Sequence, residues 1–266
     1  MNLEKHLVLN NYFIDKLGFA DQKSLYDALN SFQQNYNLNG ISLYATLLLQ
    51  KNNNTNIRKY DNNIKEYVDK LRKNRNQPAF DLKYFQYLSI LFTEMFLDEY
   101  FNNKSAFVED LNKYLKDFNK SNNTKIDSFK DDDIKKLAYW IATGGGKTLI
   151  MHINYWQYLK YNNKDINNIL LITPNEGMSI QHANELKLSG IPYILYNGNI
   201  DINSNRKKNS ILIIDINKLT SEKKGQGVSV DISYFEDKNL VFIDEGHKGS
   251  SSENETGWKS LREEIA

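Results

Sequence analysis

The sequence predicts an α/β fold, in which a parallel β-sheet flanked by helices follows an all-α N-terminal region. Apolar residues in about the first 120 positions recur at three- and four-residue steps, the period of a helix, most clearly over residues 82–101. From Leu137 onward, short apolar runs alternate with segments of helical period. A glycine-rich loop separates the first of these runs from the first of these helices. These patterns predict a helical domain followed by a sheet domain.

The change of period gives the expected element bounds. Five apolar runs are predicted as strands, at residues 137–143, 169–173, 193–196, 211–216 and 240–243. Helices are predicted between them at residues 147–161 and 176–188. The polar stretch 119–133 is predicted to be a linker or long loop, so we place the helical domain at residues 1–125 and the sheet domain at residues 126–266.

The composition excludes several classes of protein. Lys and Arg number 34 and Asp and Glu number 33, so a basic tail or coat is not the main basis of nucleic-acid binding. The absence of Cys excludes disulfides, iron–sulfur clusters and thiol catalysis, and the four His are too scattered for an obvious metal site. The start has no secretory signal and no run is long enough to span a membrane, so we expect a cytoplasmic location and no membrane partner.

Residues 142–148, Ala-Thr-Gly-Gly-Gly-Lys-Thr, have the composition and context of a phosphate-binding loop. Glycine N–H groups and a helix N-terminus attract phosphate oxygens, Lys147 can reach the β- and γ-phosphates, and the Thr148 hydroxyl can hold Mg²⁺. We therefore expect ATP and Mg²⁺ as cofactors, bound by Thr143, Gly144, Gly145, Gly146, Lys147 and Thr148. The strict motif has glycine where this chain has Ile141, and a glycine-rich turn with an incidental lysine is the alternative.

Residues 240–247, Leu-Val-Phe-Ile-Asp-Glu-Gly-His, form an apolar run that ends in two acids. Ligands of parallel sheets bind at the carboxyl ends of the strands. We expect Asp244 to hold Mg²⁺ and Glu245 to orient or deprotonate the attacking water, with Lys147 as the third catalytic residue. A strand that ends in an acidic turn is the alternative.

The loop at 142–148, the Thr-Pro-Asn sequence at 173–175 and the Asp-Glu-Gly-His sequence at 244–247 resemble the first motor domain of the superfamily 2 helicases. More narrowly, they resemble the DEAD/DEAH-box branch that contains the ATP-driven subunits of type I and type III restriction enzymes, in which the glycine at the position of Ile141 is replaceable. The resemblance covers about residues 80–266. It implies a RecA-like P-loop parallel sheet.

The resemblance also implies a nucleic-acid contact after the second predicted strand. It assigns contacts with the sugar–phosphate backbone to Thr173, Pro174, Asn175 and Gln181. Short hydroxyl and amide groups suit that task because they bond phosphates without reading bases. Lys218 resembles part of the next strand-contacting motif. The alternative is a strand followed by a proline turn and a helix start.

Two further roles follow from the resemblance. Gln86 resembles the upstream glutamine that reads adenine, although it lies farther before Lys147 than the family pattern has it. The apolar face of its helix also explains its position without that role. His247 would link the acidic motif to a neighbouring motor domain, or is a surface loop residue.

Motors of this superfamily use two RecA-like domains, and the second supplies an arginine finger. The Ser-Ala-Thr motif of the first domain does not follow Glu245 in this chain, so we expect a sheet that is incomplete at its C-terminus. We therefore expect a fragment of a longer polypeptide, with the second RecA-like domain supplied in cis or in trans. The isolated chain is expected to bind Mg·ATP weakly, to hydrolyse it very slowly and not to unwind nucleic acid.

The leading functional interpretation is the ATP-binding half of a nucleic-acid-dependent ATPase motor, a DNA translocase in a restriction or phage-defence system. An RNA-remodelling helicase is the second interpretation. The third is a nucleotide-switched binding module, in which the helical half carries the function. A metabolic P-loop kinase is the fourth, and the sequence has no recognisable lid or substrate pocket for it.

Overall fold

The computed structural model describes residues 6–31, 40–51, 56–197, 207–220, 230–235 and 238–246. The chain divides into two compact units, of which the first ends at Asn162 and the second begins at Asn163. None of the helices in these described ranges has the length and apolar character needed to cross a membrane.

The first unit is helical, as the three- and four-residue period predicts. Its α-helices are α1 (Val8–Lys16), α2 (Gln22–Asn30), α3 (Leu43–Lys51), α4 (Asn56–Arg75), α5 (Tyr84–Asn102), α6 (Lys104–Asn122) and α7 (Lys147–Tyr161), with a short 3₁₀ turn at Asp133–Lys135. Helix α7 has the bounds predicted from the sequence. It follows the glycine loop directly, so the loop belongs to the helical unit.

Helix α5 is the central element of the first unit, since it packs against α2, α4, α6 and α7. Its side chains are apolar on most faces, which is typical of a helix surrounded by protein. Tyr87, Leu88, Ile90 and Leu91 lie in the core with at most 2% of their surface exposed. The packing of α5 against α7 connects this core to the glycine loop.

The polar stretch predicted as a linker is held against α6 by two asparagine side chains. Helix α6 ends at Asn122, and Asn123 takes the left-handed conformation with φ of 52°, which is common at helix ends. Asn112 exchanges two hydrogen bonds with the backbone of Phe129, and Asn119 does the same with Ile126, at 2.8–3.1 Å. Each carboxamide substitutes for a peptide group, so this segment is an ordered connection.

The strand predicted at residues 137–143 is wrong, because this segment has no regular secondary structure. None of the strands in the described residues pairs with it. Leu137 and Ile141 pack instead on the core of the helical unit, whereas Trp140 is 81% exposed. An apolar run of this length favours an extended backbone, but a strand also needs a neighbouring strand for its hydrogen bonds.

The second unit is an α/β structure with an all-parallel sheet. Its strands are β1 (Asn168–Thr173), β2 (Tyr193–Leu195), β3 (Ile211–Asp215) and β6 (Asn239–Ile243), in the order β2-β3-β1-β6. A small parallel pair, β4 (Leu219–Thr220) and β5 (Val230–Asp231), accompanies them. Helix α8 (Glu176–Leu188) connects β1 to β2 and packs on the sheet, and its bounds are those predicted.

Strand β1 is buried on both faces, as a central strand of a parallel sheet should be. Strand β6 has only half-buried and exposed side chains and lies at one edge of the four-stranded sheet. The alternation of strands and helix confirms the predicted parallel α/β class, with the arrangement of an incomplete RecA-like fold.

The two compact units meet in sequence at Asn162, beyond the domain boundary predicted at residues 125 and 126. The difference arises because α7 packs on α5 and so belongs by its contacts to the helical unit. The boundary at Asn162 is drawn from packing contacts. The boundary at residues 125 and 126 is drawn from the sequence, and it stays a prediction.

Candidate functional site

Glycines shape the loop that precedes α7. Gly146 is the N-cap of α7 and has a φ of +87°, a conformation that costs little only for glycine. A Cβ atom on Gly145 would lie 2.5 Å from Ile141 Cγ2 and 2.9 Å from the carbonyl oxygen of Ala142. The backbone N–H of Gly145 donates to that same carbonyl oxygen at 2.9 Å. The loop is therefore a tight turn that larger side chains would distort.

Two side chains contact this loop within the helical unit. Lys147, the first residue of α7, donates from Nζ to the carbonyl oxygen of Ile141 at 3.3 Å. Gln86, in the first turn of α5, donates from Nε2 to the carbonyl oxygen of Gly145 at 2.9 Å. Its Oε1 accepts from the backbone N–H of Lys83 at 2.9 Å. The structure thus brings the predicted glutamine next to the glycine loop, and its contact with adenine stays a prediction.

The geometry of the loop fits nucleotide phosphates. A backbone with glycine at residues 144–146, ending at a helix N-terminus, lets phosphate oxygens approach N–H groups closely. Thr143 is exposed at the start of the loop, and Thr148 is half-buried in the first turn of α7. The Thr148 hydroxyl is a hard oxygen ligand of the kind that Mg²⁺ prefers.

No group of three or more potential metal-ligating His, Asp or Glu side chains occurs in the described part of the chain. Mg²⁺ in nucleotide sites is usually held by one or two protein oxygens together with phosphate oxygens and water.

The acidic residues lie at the carboxyl edge of the sheet in the second unit. The register pairs Thr173 at the end of β1 with Asp215 at the end of β3. On the other side of β1, the backbone N–H of Asp244 donates to the carbonyl oxygen of Ile172 at 3.0 Å. Glu245 follows with a φ of 53°, a conformation that non-glycine residues seldom adopt. This edge is where ligands of parallel sheets bind.

His182 contacts Asp244, and no pattern in the sequence indicates this pair directly. His182 Nε2 and Asp244 Oδ2 are 2.9 Å apart, with side chains 7% and 16% exposed. A usable signal exists in retrospect, since His182 shares the buried face of α8 with Ser179, Ala183 and Leu186 at helical spacing. The partner of that histidine depends on how α8 packs on the sheet, which spacing alone does not give.

The residues predicted to contact nucleic acid lie at the end of β1, in the turn after it and on α8, and they differ in exposure. Thr173 is 1% exposed, and its hydroxyl hydrogen-bonds the hydroxyl of Ser179 at 2.6 Å. Asn175 is exposed and caps α8, because its Oδ1 accepts a backbone N–H from the first turn. Pro174 is half-buried and Gln181 is exposed on α8. Asn175 and Gln181 are therefore the accessible members of this set.

The loops that follow β1 and β3 contact each other. Asn217 donates from Nδ2 to the carbonyl oxygen of Pro174 at 3.4 Å. Lys218 forms an ion pair with Glu176 at 3.2 Å, so its charge is partly offset at this edge. The structure thus places the two predicted strand-contacting motifs side by side. His247 lies outside the described residues.

Comparison with protein families matches residues 92–266 to the family described as type III restriction enzyme, res subunit. A search of curated proteins finds no match, and a search of solved structures finds none either. The matched range runs from α5 to the end of the chain and includes the glycine loop, the Thr-Pro-Asn sequence and the acidic turn. This chain therefore belongs to the type III restriction enzyme res subunit family, whose members are helicase-like ATPase domains.

Proposed function

We propose that this chain is the ATP-binding part of a nucleic-acid-dependent motor that acts on DNA. The observation that carries the proposal is the loop before α7, where Gly146 has a φ that favours glycine and Lys147 follows at the helix N-terminus. The absence of a Cβ on Gly145 lets the turn close on Ile141 and Ala142, and the turn ends where α7 begins. The N-terminus of a helix directly after a glycine-rich turn is a site that favours phosphate.

The proposed roles follow the chemistry of each group. Lys147 and the loop N–H groups bind the phosphates, and the Thr148 hydroxyl and the Asp244 carboxylate hold Mg²⁺. Mg²⁺ supplies charge neutralisation at the phosphates when it is bound. Glu245 orients the attacking water or accepts its proton. Gln86 supports the loop and contacts adenine.

Nucleic acid is the proposed partner at the exposed Asn175 and Gln181. Neutral amide groups there donate to phosphate oxygens without reading bases, so they do not by themselves distinguish DNA from RNA. Membership of a restriction-enzyme family favours DNA. A second RecA-like domain, in cis or in trans, would supply the arginine finger that fast hydrolysis requires.

The test is nucleotide binding with a matched variant. We expect a fluorescent ATP analogue to bind the wild-type chain in the presence of Mg²⁺ and to bind Lys147→Ala at least about tenfold more weakly, since Lys147 is proposed to contact two phosphates. Lys160→Ala, which removes a lysine from the far end of the same helix, should bind like the wild type. Equal affinity of wild type and Lys147→Ala would contradict the proposal.

A second candidate, a nucleotide-switched binding module, is favoured by one contact. Gln86 on α5 donates a hydrogen bond to the carbonyl oxygen of Gly145 in the loop. A ligand that moves the loop would therefore also move or strain α5. Competition with DNA and RNA strands of matched sequence separates the candidates. The motor predicts ATP-dependent retention of DNA, whereas the module predicts ATP-dependent binding of a protein partner with neither nucleic acid retained.

A further inference from the structure

His182 is a buried imidazole with a single polar contact in the described structure. Its Nε2 lies 2.9 Å from Asp244 Oδ2, and its Nδ1 is buried without a hydrogen-bond partner among the described residues. A buried polar group without a partner is costly, so the ring gains its only compensation from Asp244. The contact is therefore the feature that fixes the orientation of this side chain.

The contact restricts the carboxylate as well. An ionised carboxylate only accepts hydrogen bonds, so Nε2 carries the proton and donates it to Oδ2. The backbone N–H of Asp244 is already fixed by its bond to the carbonyl oxygen of Ile172 at 3.0 Å. A main chain bonded to β1 and a carboxylate oxygen bonded to α8 together restrict the orientation of the carboxylate.

We propose that His182 is a positioning residue, which holds the Asp244 carboxylate in the orientation that receives Mg²⁺ with bound ATP. The inference rests on the proposed function. Residues that hydrogen-bond a metal-ligating side chain without contacting the metal commonly alter metal affinity by about 10–100-fold when they are removed. His182 also follows Gln181 on α8, so the helix that carries the proposed nucleic-acid contact carries the positioning residue too.

The test titrates Mg²⁺ into the protein with a fluorescent ATP analogue. It measures the half-point, which is the Mg²⁺ concentration at which half of the Mg²⁺-dependent binding of the analogue is reached. His182→Leu fills the site without a donor and should raise that concentration at least about tenfold. His182→Gln keeps an N–H donor on a side chain of similar reach, so it should restore the value to within about threefold of the wild type. Binding of the analogue in EDTA should be the same for all three proteins, since the positioning acts only through the metal.

Ser179→Ala is the matched control, because it removes another buried polar contact from the same face of α8 without touching Asp244. It should leave the Mg²⁺ half-point unchanged, even where it lowers the melting temperature. A half-point of His182→Leu equal to that of the wild type would overturn the inference while the proposed function stands. If His182→Leu loses binding of the analogue both in EDTA and in Mg²⁺, His182 has a structural role only, and the inference is overturned. A wild-type chain that binds no ATP analogue would instead overturn the proposed function.

Discussion

At the scale of single residues, the glycine loop shows where backbone conformation limits the sequence. Gly146 has a φ of +87° and a Cβ atom there would lie 2.5 Å from Gln86 Nε2. The clash is with the mobile end of a side chain, so the conformation is the more serious obstacle. An alanine in the left-handed region costs roughly 1–2 kcal/mol.

We expect Gly146→Ala to bind ATP roughly tenfold more weakly, because the loop must distort to accept a side chain. Gly177→Ala, at the second position of α8, is the control, since its Cβ meets only Asn175 Oδ1 at 3.4 Å. Titration with a fluorescent ATP analogue measures both. Unchanged affinity in Gly146→Ala would show that the loop does not hold the nucleotide.

Gln86 allows the roles of loop support and adenine recognition to be separated. Gln86→Ala loses the bond to the carbonyl oxygen of Gly145, so we expect the affinity for ATP to fall about tenfold. If the side chain also reads adenine, the preference for ATP over GTP should fall in the same variant. The measurement is a pair of competition titrations, with the exposed Gln77→Ala as the control. A preference that stays constant would reject adenine recognition by this residue.

Sequence reasoning identified the types of these residues better than their partners. Lys147 and Gly146 could be named because the composition of the loop carries the information. Gln86 could be named only from the family resemblance, since its distance from Lys147 departs from the family pattern. The His182–Asp244 pair could not be named in this way. Its two residues are 62 positions apart in the chain, and they meet only because α8 packs on the sheet. The burial of Thr173 could not be predicted either, because it depends on the central position of β1 in the sheet.

At the scale of elements, a buried polar network joins α4, α5 and α7. Glu94 on α5 is fully buried and accepts hydrogen bonds from Asn63 on α4 and from Gln157 and Tyr161 on α7, at 2.6–2.8 Å. Three donors converge on one carboxyl group, so its removal leaves each of them without this acceptor. The network connects α7, the helix that follows the glycine loop, to the helical core.

We expect Glu94→Ala to lower the free energy of unfolding by about 3 kcal/mol, because buried donors lose their acceptor. Glu66→Ala is the control. The side chain of Glu66 is 63% exposed in its pairing with Lys160, and exposed pairs contribute less than about 1 kcal/mol. Urea denaturation followed by circular dichroism gives both values. Equal effects of the two substitutions would contradict the importance of the buried network.

The same carboxyl group predicts a pH dependence. Burial raises the pKa of Glu94, and the hydrogen bonds from Asn63, Gln157 and Tyr161 oppose this only in part. The stabilisation from a raised pKa is fully present below the unfolded value, about 4.3 for Glu, and is lost as the pH rises through the folded value. The wild type should therefore lose stability relative to Glu94→Gln as the pH rises over that range. A wild type that gains stability relative to Glu94→Gln as the pH rises over that range would contradict the sign.

Helix bounds were better predicted than strands. Helices α7 and α8 begin at Lys147 and Glu176 as expected, because Gly146 and Asn175 are cap residues that the sequence displays. Residues 137–143 were predicted as a strand from apolar character alone. Whether such a run forms a strand depends on a neighbouring strand elsewhere in the chain, and the local pattern contains no information about that neighbour.

At the scale of the whole molecule, the nearly neutral charge limits how nucleic acid can be bound. The chain has a formal net charge of +1, and Lys218 at the proposed contact edge is paired with Glu176. Amide donors such as Asn175 and Gln181 bond phosphates without releasing counterions. The affinity for DNA should therefore depend only weakly on salt.

We expect a plot of log Kd against log salt concentration to have a slope of magnitude about 1–3, compared with the steep slopes of proteins that make 6–10 cationic phosphate contacts. Fluorescence anisotropy with a labelled single strand, in the presence of Mg·ATP, measures it. Asn175→Ala should weaken binding at every salt concentration without changing the slope. A slope as steep as about 6 would point to a cationic surface outside the residues proposed here.

We propose that ATP is bound by the loop before α7 and, through Mg²⁺, by the acidic turn after β6. Hydrogen exchange measured by mass spectrometry, with and without Mg·ATP, tests this most directly because it reports on each segment separately. We expect slower exchange in peptides that cover residues 142–150 and in peptides that cover residues 240–246, with both effects lost in Lys147→Ala. Unchanged exchange at residues 142–150 under saturating Mg·ATP would contradict the binding of ATP by this loop.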